Sequence, residues 1–103
     1  MQSALFETLV DAIRARKLVL CAYHGFPRVC CPHSIGWAQR VERLLAYQFA
    51  GDSSEGLPID GEWWCFDIRE MESVTIFEGE WRTGPHRSRP KKCIQRVYLD
   101  VFS

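Results

Sequence analysis

Between Ser3 and about Arg16 the apolar residues Leu5, Phe6, Leu9, Ala12 and Ile13 recur at helical spacing, while Glu7, Asp11 and Arg14 fall off that stripe. The pattern predicts an amphipathic helix laid on one end of a sheet, with Ser3 as its N-cap and Arg14, Arg16 and Lys17 at the favourable end of its dipole. From Leu18 to Tyr23 the chain is a run of strand formers, stopped by a Gly- and Pro-containing turn over residues 24–27. A second strand is expected over residues 28–32, ending or bulging at Pro32, which has no N–H for a ladder, with Gly36 allowing the next change of direction. After a polar link over residues 39–43, Leu45, Tyr47 and Phe49 alternate with Leu44, Ala46 and Gln48. Both faces of that strand are mainly apolar, which predicts a central strand covered on two sides.

Residues 51–61 read as an exposed loop on their Gly, Ser, Asp and Pro content. Beyond it, Trp64, Phe66 and Ile68 alternate with Trp63, Cys65 and Asp67, predicting a fourth strand with one of the two adjacent tryptophans in the core. Residues 71–77 predict a fifth strand after a turn at 69–72. Residues 82–92 read as an irregular, solvated basic segment, and 93–102 as a C-terminal strand in which Val97, Leu99 and Val101 alternate with Tyr98, Asp100 and Phe102. The expected fold is mainly β with one N-terminal helix: a small SH3- or Sm-like barrel of about five strands plus a C-terminal strand. With 103 residues there is room for one domain, spanning 1–103.

Composition adds two constraints. Net charge is zero, yet residues 1–51 carry six basic and three acidic side chains, residues 52–80 nine acidic and one basic, and residues 82–96 six basic and no acidic ones. A neutral chain so divided presents a local positive field, or folds its basic segment onto its acidic one. Five cysteines, at 21, 30, 31, 65 and 93, form an odd set in a chain whose first residues lack a signal-peptide layout, so buried thiols and a cytoplasmic location are expected. No run has the length to span a bilayer. Cys30, Cys31 and His33 lack the spacing of a zinc site, and a Cys31/His33 nucleophile pair lacks an orienting third group. No metal, no cofactor and no catalytic residues are therefore expected.

In the order Leu20-Cys21-Ala22-Tyr23, then Arg28 through Gly36, then Leu44-Leu45-Ala46-Tyr47, then Phe66-Asp67-Ile68, the chain resembles the WYL domain, a bacterial module with an Sm-like, SH3-type barrel. The resemblance covers about residues 4–78 and is to a divergent, stand-alone member without a winged helix. The Trp-Tyr-Leu triplet that names the family falls on Glu42-Arg43-Leu44, and the arginine usual four residues after the strand-four phenylalanine falls on Glu70, next to Arg69. The resemblance implies a sensor of anionic ligands acting in transcription regulation.

The expected function is thus a non-enzymatic regulatory module binding a nucleotide or single-stranded nucleic acid. Arg28, Arg43, Arg69 and the basic residues Arg87, Arg89, Lys91 and Lys92 would supply charge, His33 a donor, and Tyr23 or a tryptophan a stacking face. The rival expectation, motivated by loss of the Trp-Tyr pair, is a barrel serving protein–protein assembly, as a homodimer or as partner of a separate regulator.

Overall fold

Ser3 caps the helix as its side chain suggests: its Oγ accepts from the Phe6 N–H at 3.1 Å. The helix, α1 (Ala4–Ala15), ends at Arg16, which takes a left-handed conformation. The computed structural model describes residues 2–51, 61–84 and 93–101. Among the described residues six strands follow α1: β1 (Leu18–Tyr23), β2 (Phe26–Ala38), β3 (Val41–Gly51), β4 (Glu62–Asp67), β5 (Met71–Phe77) and β6 (Arg96–Asp100), with a 3-10 turn, Ile68–Glu70, between β4 and β5. All pair antiparallel, in the order β4-β3-β2-β1-β5, and β6 pairs with the second half of β2. The arrangement is mainly β with one N-terminal helix, and it is compatible with the small SH3- or Sm-like barrel expected.

Of the two outcomes expected at Pro32, an end or a bulge, the bulge occurs, between Pro32 and Ser34 in the register with β3, while β2 runs past residue 32 to Ala38. A strand that lacks one donor continues when its neighbours pair on either side of the gap. The expectation for Gly36 is corrected. Gly36 makes no turn; it lies within β2, opposite Arg43 on β3 and Val97 on β6. The turn falls at Gln39 and Arg40, so β3 begins at Val41.

The alternation in β3 and β4 is realised on two faces. Leu44, Ala46 and Phe66 join Phe6, Leu9, Val10 and Ile13 of α1 in the main core, with Val19, Cys21 and Cys30 of the first hairpin. Leu45, Tyr47 and Trp63 face the other way and form a smaller core with Cys93, backed by Phe49, Cys65 and Ile94. Trp63 is the more buried of the tryptophan pair; Trp64 is half-buried against the main core.

At the start of the basic segment the chain is irregular and Arg82 and Thr83 are exposed, as expected, but Gly84 is not. Gly84 is buried against the Tyr47 and Trp63 rings, where a Cβ would lie 2.5 Å from Tyr47 Cδ1. The Arg82 N–H donates to Cys31 Sγ at 3.2 Å, and the Arg82 guanidinium sits over Phe49 at 4.6 Å. The cysteine expectation is corrected in part as well: Cys21, Cys30 and Cys31 are buried thiols, but Cys65 and Cys93 form a disulfide, their Cα atoms 5.8 Å apart. The long sequence interval between them is closed by the β3–β4 and β2–β6 pairings, which sequence spacing does not reveal. Among the described residues no helix is long and apolar enough to cross a membrane.

Candidate functional site

At the end of the sheet where α1 begins, the β2–β3 turn, the 3-10 turn and the start of β6 surround a groove of about 930 Å³. Its cations are Arg40 from the β2–β3 turn, Arg69 from the 3-10 turn and Arg96 from β6, and its aromatic wall is Trp37 of β2. Glu42 is its one acid among the described residues, and both carboxylate oxygens are already engaged: Oε2 accepts from the Ser3 N–H at 2.8 Å and Oε1 from the Ser3 hydroxyl at 2.6 Å. Glu42 thereby holds the N-terminus of α1 to β3, where a negative charge complements the helix dipole.

Each arginine is placed by a local device. Gln39 and Arg40 both have positive φ, 51° and 68°, in a two-residue turn joining Ala38 to its partner Val41. Turns of this shape favour Asn-Gly, because a side chain in the left-handed region carries a steric cost of roughly 1 kcal/mol. The Gln39 N–H is held by the Gln95 side-chain oxygen at 3.0 Å. Arg96 lies over the Trp37 ring at 5.0 Å, while Phe6 stacks on that ring with centroids 5.1 Å apart and Tyr98 meets its edge. Trp37 therefore positions a guanidinium. Arg69 bonds Asp67 through Nε and its own N–H, leaving its terminal nitrogens without a partner among the described residues.

Of the sequence candidates among the described residues, Arg69 alone lines this groove. Arg28 is 1 % exposed, donating to the Tyr23 carbonyl and to Gln48 Oε1 and stacked over Trp64 at 4.8 Å. Its charge meets no carboxylate among the described residues, and the aromatic contact offsets part of that burial cost. Tyr23 is buried edge-on to Phe66, its hydroxyl accepting from the Asp67 N–H at 3.0 Å and facing Glu70 at 3.5 Å. His33 is fully buried between Trp63 and Trp81, with Nδ1 2.7 Å from the Cys31 carbonyl and Nε2 3.2 Å from the Thr83 hydroxyl. Arg43 is half-buried on the opposite face, beside Cys65. Arg87, Arg89, Lys91 and Lys92 lie outside the described residues. Sequence reading missed Arg40, Arg96 and Trp37; the one available signal was a non-glycine pair, Gln39-Arg40, at the tip of a hairpin.

The buried titratable groups sit away from the groove. The side-chain interaction between Cys30 and Cys21, with burial, pushes Cys30 well up, while the same interaction, with the Arg28 charge, draws Cys21 down against its own burial. Burial raises Cys31 above its ordinary value of 9.0, opposed by the Arg82 N–H and charge, and burial likewise raises Tyr23. Above that value the unfolded chain releases protons which folded Cys31 retains, so stability falls as pH rises. The thermal midpoint is expected to drop as pH rises past the ordinary thiol range, and to drop less in Cys31→Ala; equal slopes in the two proteins would mean that Cys31 ionises as readily folded as unfolded. Among the described residues no cluster of three or more His, Cys, Asp or Glu side chains is placed to hold a metal ion. No protein-family model, no curated protein and no solved structure matches the chain.

Proposed function

We propose that this chain is a WYL-like, non-catalytic module that binds an anionic ligand of nucleotide size in the groove formed by Arg40, Arg69 and Arg96. The observation carrying this reading is the balance of charge there. Among the described residues three guanidinium groups line one concavity, and the one carboxylate there is spent on Ser3. Neither Arg40 nor Arg96 has an ion-pair partner among the described residues. The unfavourable backbone at Gln39 and Arg40 supports it, since strained positions concentrate where a side chain must be presented to a ligand. The groove's volume suits one small molecule better than an extended strand. Assembly with another protein has weaker support: Val97 and Tyr98 of β6 are exposed, but the Tyr98 ring is already engaged with Phe6 and Trp37.

Calorimetric titration with adenosine diphosphate and with short single-stranded oligonucleotides tests the reading. The diphosphate is expected to bind, more weakly as salt rises, and Arg40→Ala combined with Arg96→Ala to lower its affinity at least about tenfold, roughly 1.4 kcal/mol. Both side chains are exposed, so the doubly substituted chain retains its fold. Indifference to mononucleotides and oligonucleotides alike would remove the proposal.

A further inference from the structure

We infer that the Cys65–Cys93 disulfide is a reversible switch on the groove, opened by a dithiol reductant and made reducible by Arg43. The inference rests on the anion-binding reading of the groove. Cys93 precedes the groove residues Gln95 and Arg96 by two and three positions, and the disulfide ties this segment across β3 to β4. Past the disulfide, the segment is held by Ile94 against Gly36 and by the Gln95 N–H on the Trp37 carbonyl at 2.9 Å. The Gln95 side chain then fixes the turn that carries Arg40, and Arg96 takes its place over Trp37. One sulfur–sulfur bond thus anchors the segment that orders two of the three guanidinium groups.

Arg43 supplies the reason that this bond yields to a reductant. Its Nη1 lies 3.8 Å from Cys65 Sγ, and its Nε is buried with no acceptor among the described residues. The acid opposite it in the β3–β4 register, Asp67, gives both oxygens to Arg69. A disulfide sulfur is a weak acceptor, whereas a Cys65 thiolate is an anion, so a guanidinium with no ion-pair partner among the described residues favours the reduced state and makes Cys65 the better leaving group. A thiolate of the reductant bonds to Cys93 Sγ as the Cys65–Cys93 bond breaks, and Cys65 departs as a thiolate beside Arg43. The reductant's second thiol then closes on the mixed disulfide and passes its proton to the departing Cys93. Two electrons have moved from the dithiol, now a disulfide, to the protein, which holds a Cys65 thiolate and a Cys93 thiol.

The full chain is compared before and after dithiothreitol, with alkylation and mass measurement confirming the state of Cys65 and Cys93. Amide exchange at Gln95 is expected to quicken about tenfold or more on reduction while α1 stays protected, and adenosine diphosphate affinity to fall by about tenfold. Arg43→Gln is expected to shift the equilibrium so that about tenfold more reduced over oxidised dithiothreitol is needed for half-reduction. Unchanged exchange at Gln95 after complete reduction overturns the switch. So does equal loss of protection in α1, which would make the bond a plain staple, and so does an Arg43→Gln chain as easily reduced as the parent. If adenosine diphosphate binds neither form while Gln95 still loosens alone, the ligand reading fails and the switch stands.

Discussion

Replacing Gly36 with alanine is expected to dislodge β6 and to weaken binding of adenosine diphosphate by at least about tenfold, with a loss of about 1–3 kcal/mol in stability. The backbone at Gly36 is not among those with positive φ, so alanine brings no conformational penalty of its own. What it brings is a methyl group aimed at the Arg96 carbonyl oxygen, with Ile94 Cγ2 at 2.7 Å. β2 cannot retreat, because Gly36 is paired with Arg43 on its other side. The strand that gives way is β6, and Arg96 goes with it. Urea unfolding, amide exchange at Gln95 and calorimetry read the three effects separately. A Gly36→Ala chain with parental exchange at Gln95 would show that β6 tolerates a wider spacing from β2.

The second large effect is expected at Phe6. Its side chain is fully buried, stacked on Trp37 and edge-on to Tyr98 at 5.5 Å, and it belongs to the main core. Phe6→Ala removes that packing and leaves a cavity, costing about 3–5 kcal/mol, a large share of the roughly 5–15 kcal/mol available to a domain of this size. The loss is measured by equilibrium unfolding in urea. Because Phe6 backs the ring on which Arg96 rests, Phe6→Ala is also expected to broaden the Trp37 fluorescence response and raise the dissociation constant of adenosine diphosphate, while Phe6→Leu, which fills most of the space, changes both far less. A stability loss below about 1 kcal/mol in Phe6→Ala would mean that α1 packs without this contact.

What was legible in the sequence was whatever a short-range period encodes. The stripe of α1, the first strand, the two apolar faces of β3 and the alternation of β4 are set by residues a few positions apart, and the structure places them as the pattern indicates. At Pro32 the bulge was legible but the strand beyond it was not. Gly36 misled for a physical reason. It was weighed by its own backbone preference, whereas it lies between partners on both sides and serves a close approach by Arg96 from far along the chain. The same reason hid the groove. Arg40, Arg69 and Arg96 come from three separate elements, and only the β2–β6 pairing brings the last of them to the others. Arg28 shows the opposite error: a charged residue in a strand was given to a ligand, and its burial beside Trp64, Tyr23 and Phe26 follows from aromatic neighbours that linear spacing does not bring together.

The pairing of β2 with both β3 and β6 also orders events in time. β1, β2 and β3 are joined by tight turns and form a meander from local contacts, which is the fast part of any β-sheet's assembly. β6 comes from far along the chain, and its pairing carries the entropy of closing a long loop. Until it docks, the stretch of β2 from Ser34 to Trp37 presents an open edge, the kind of surface on which unfinished chains adhere to one another. Pro32, with no N–H to offer and a bulge beside it, stands at the head of that stretch and interrupts the edge while it waits.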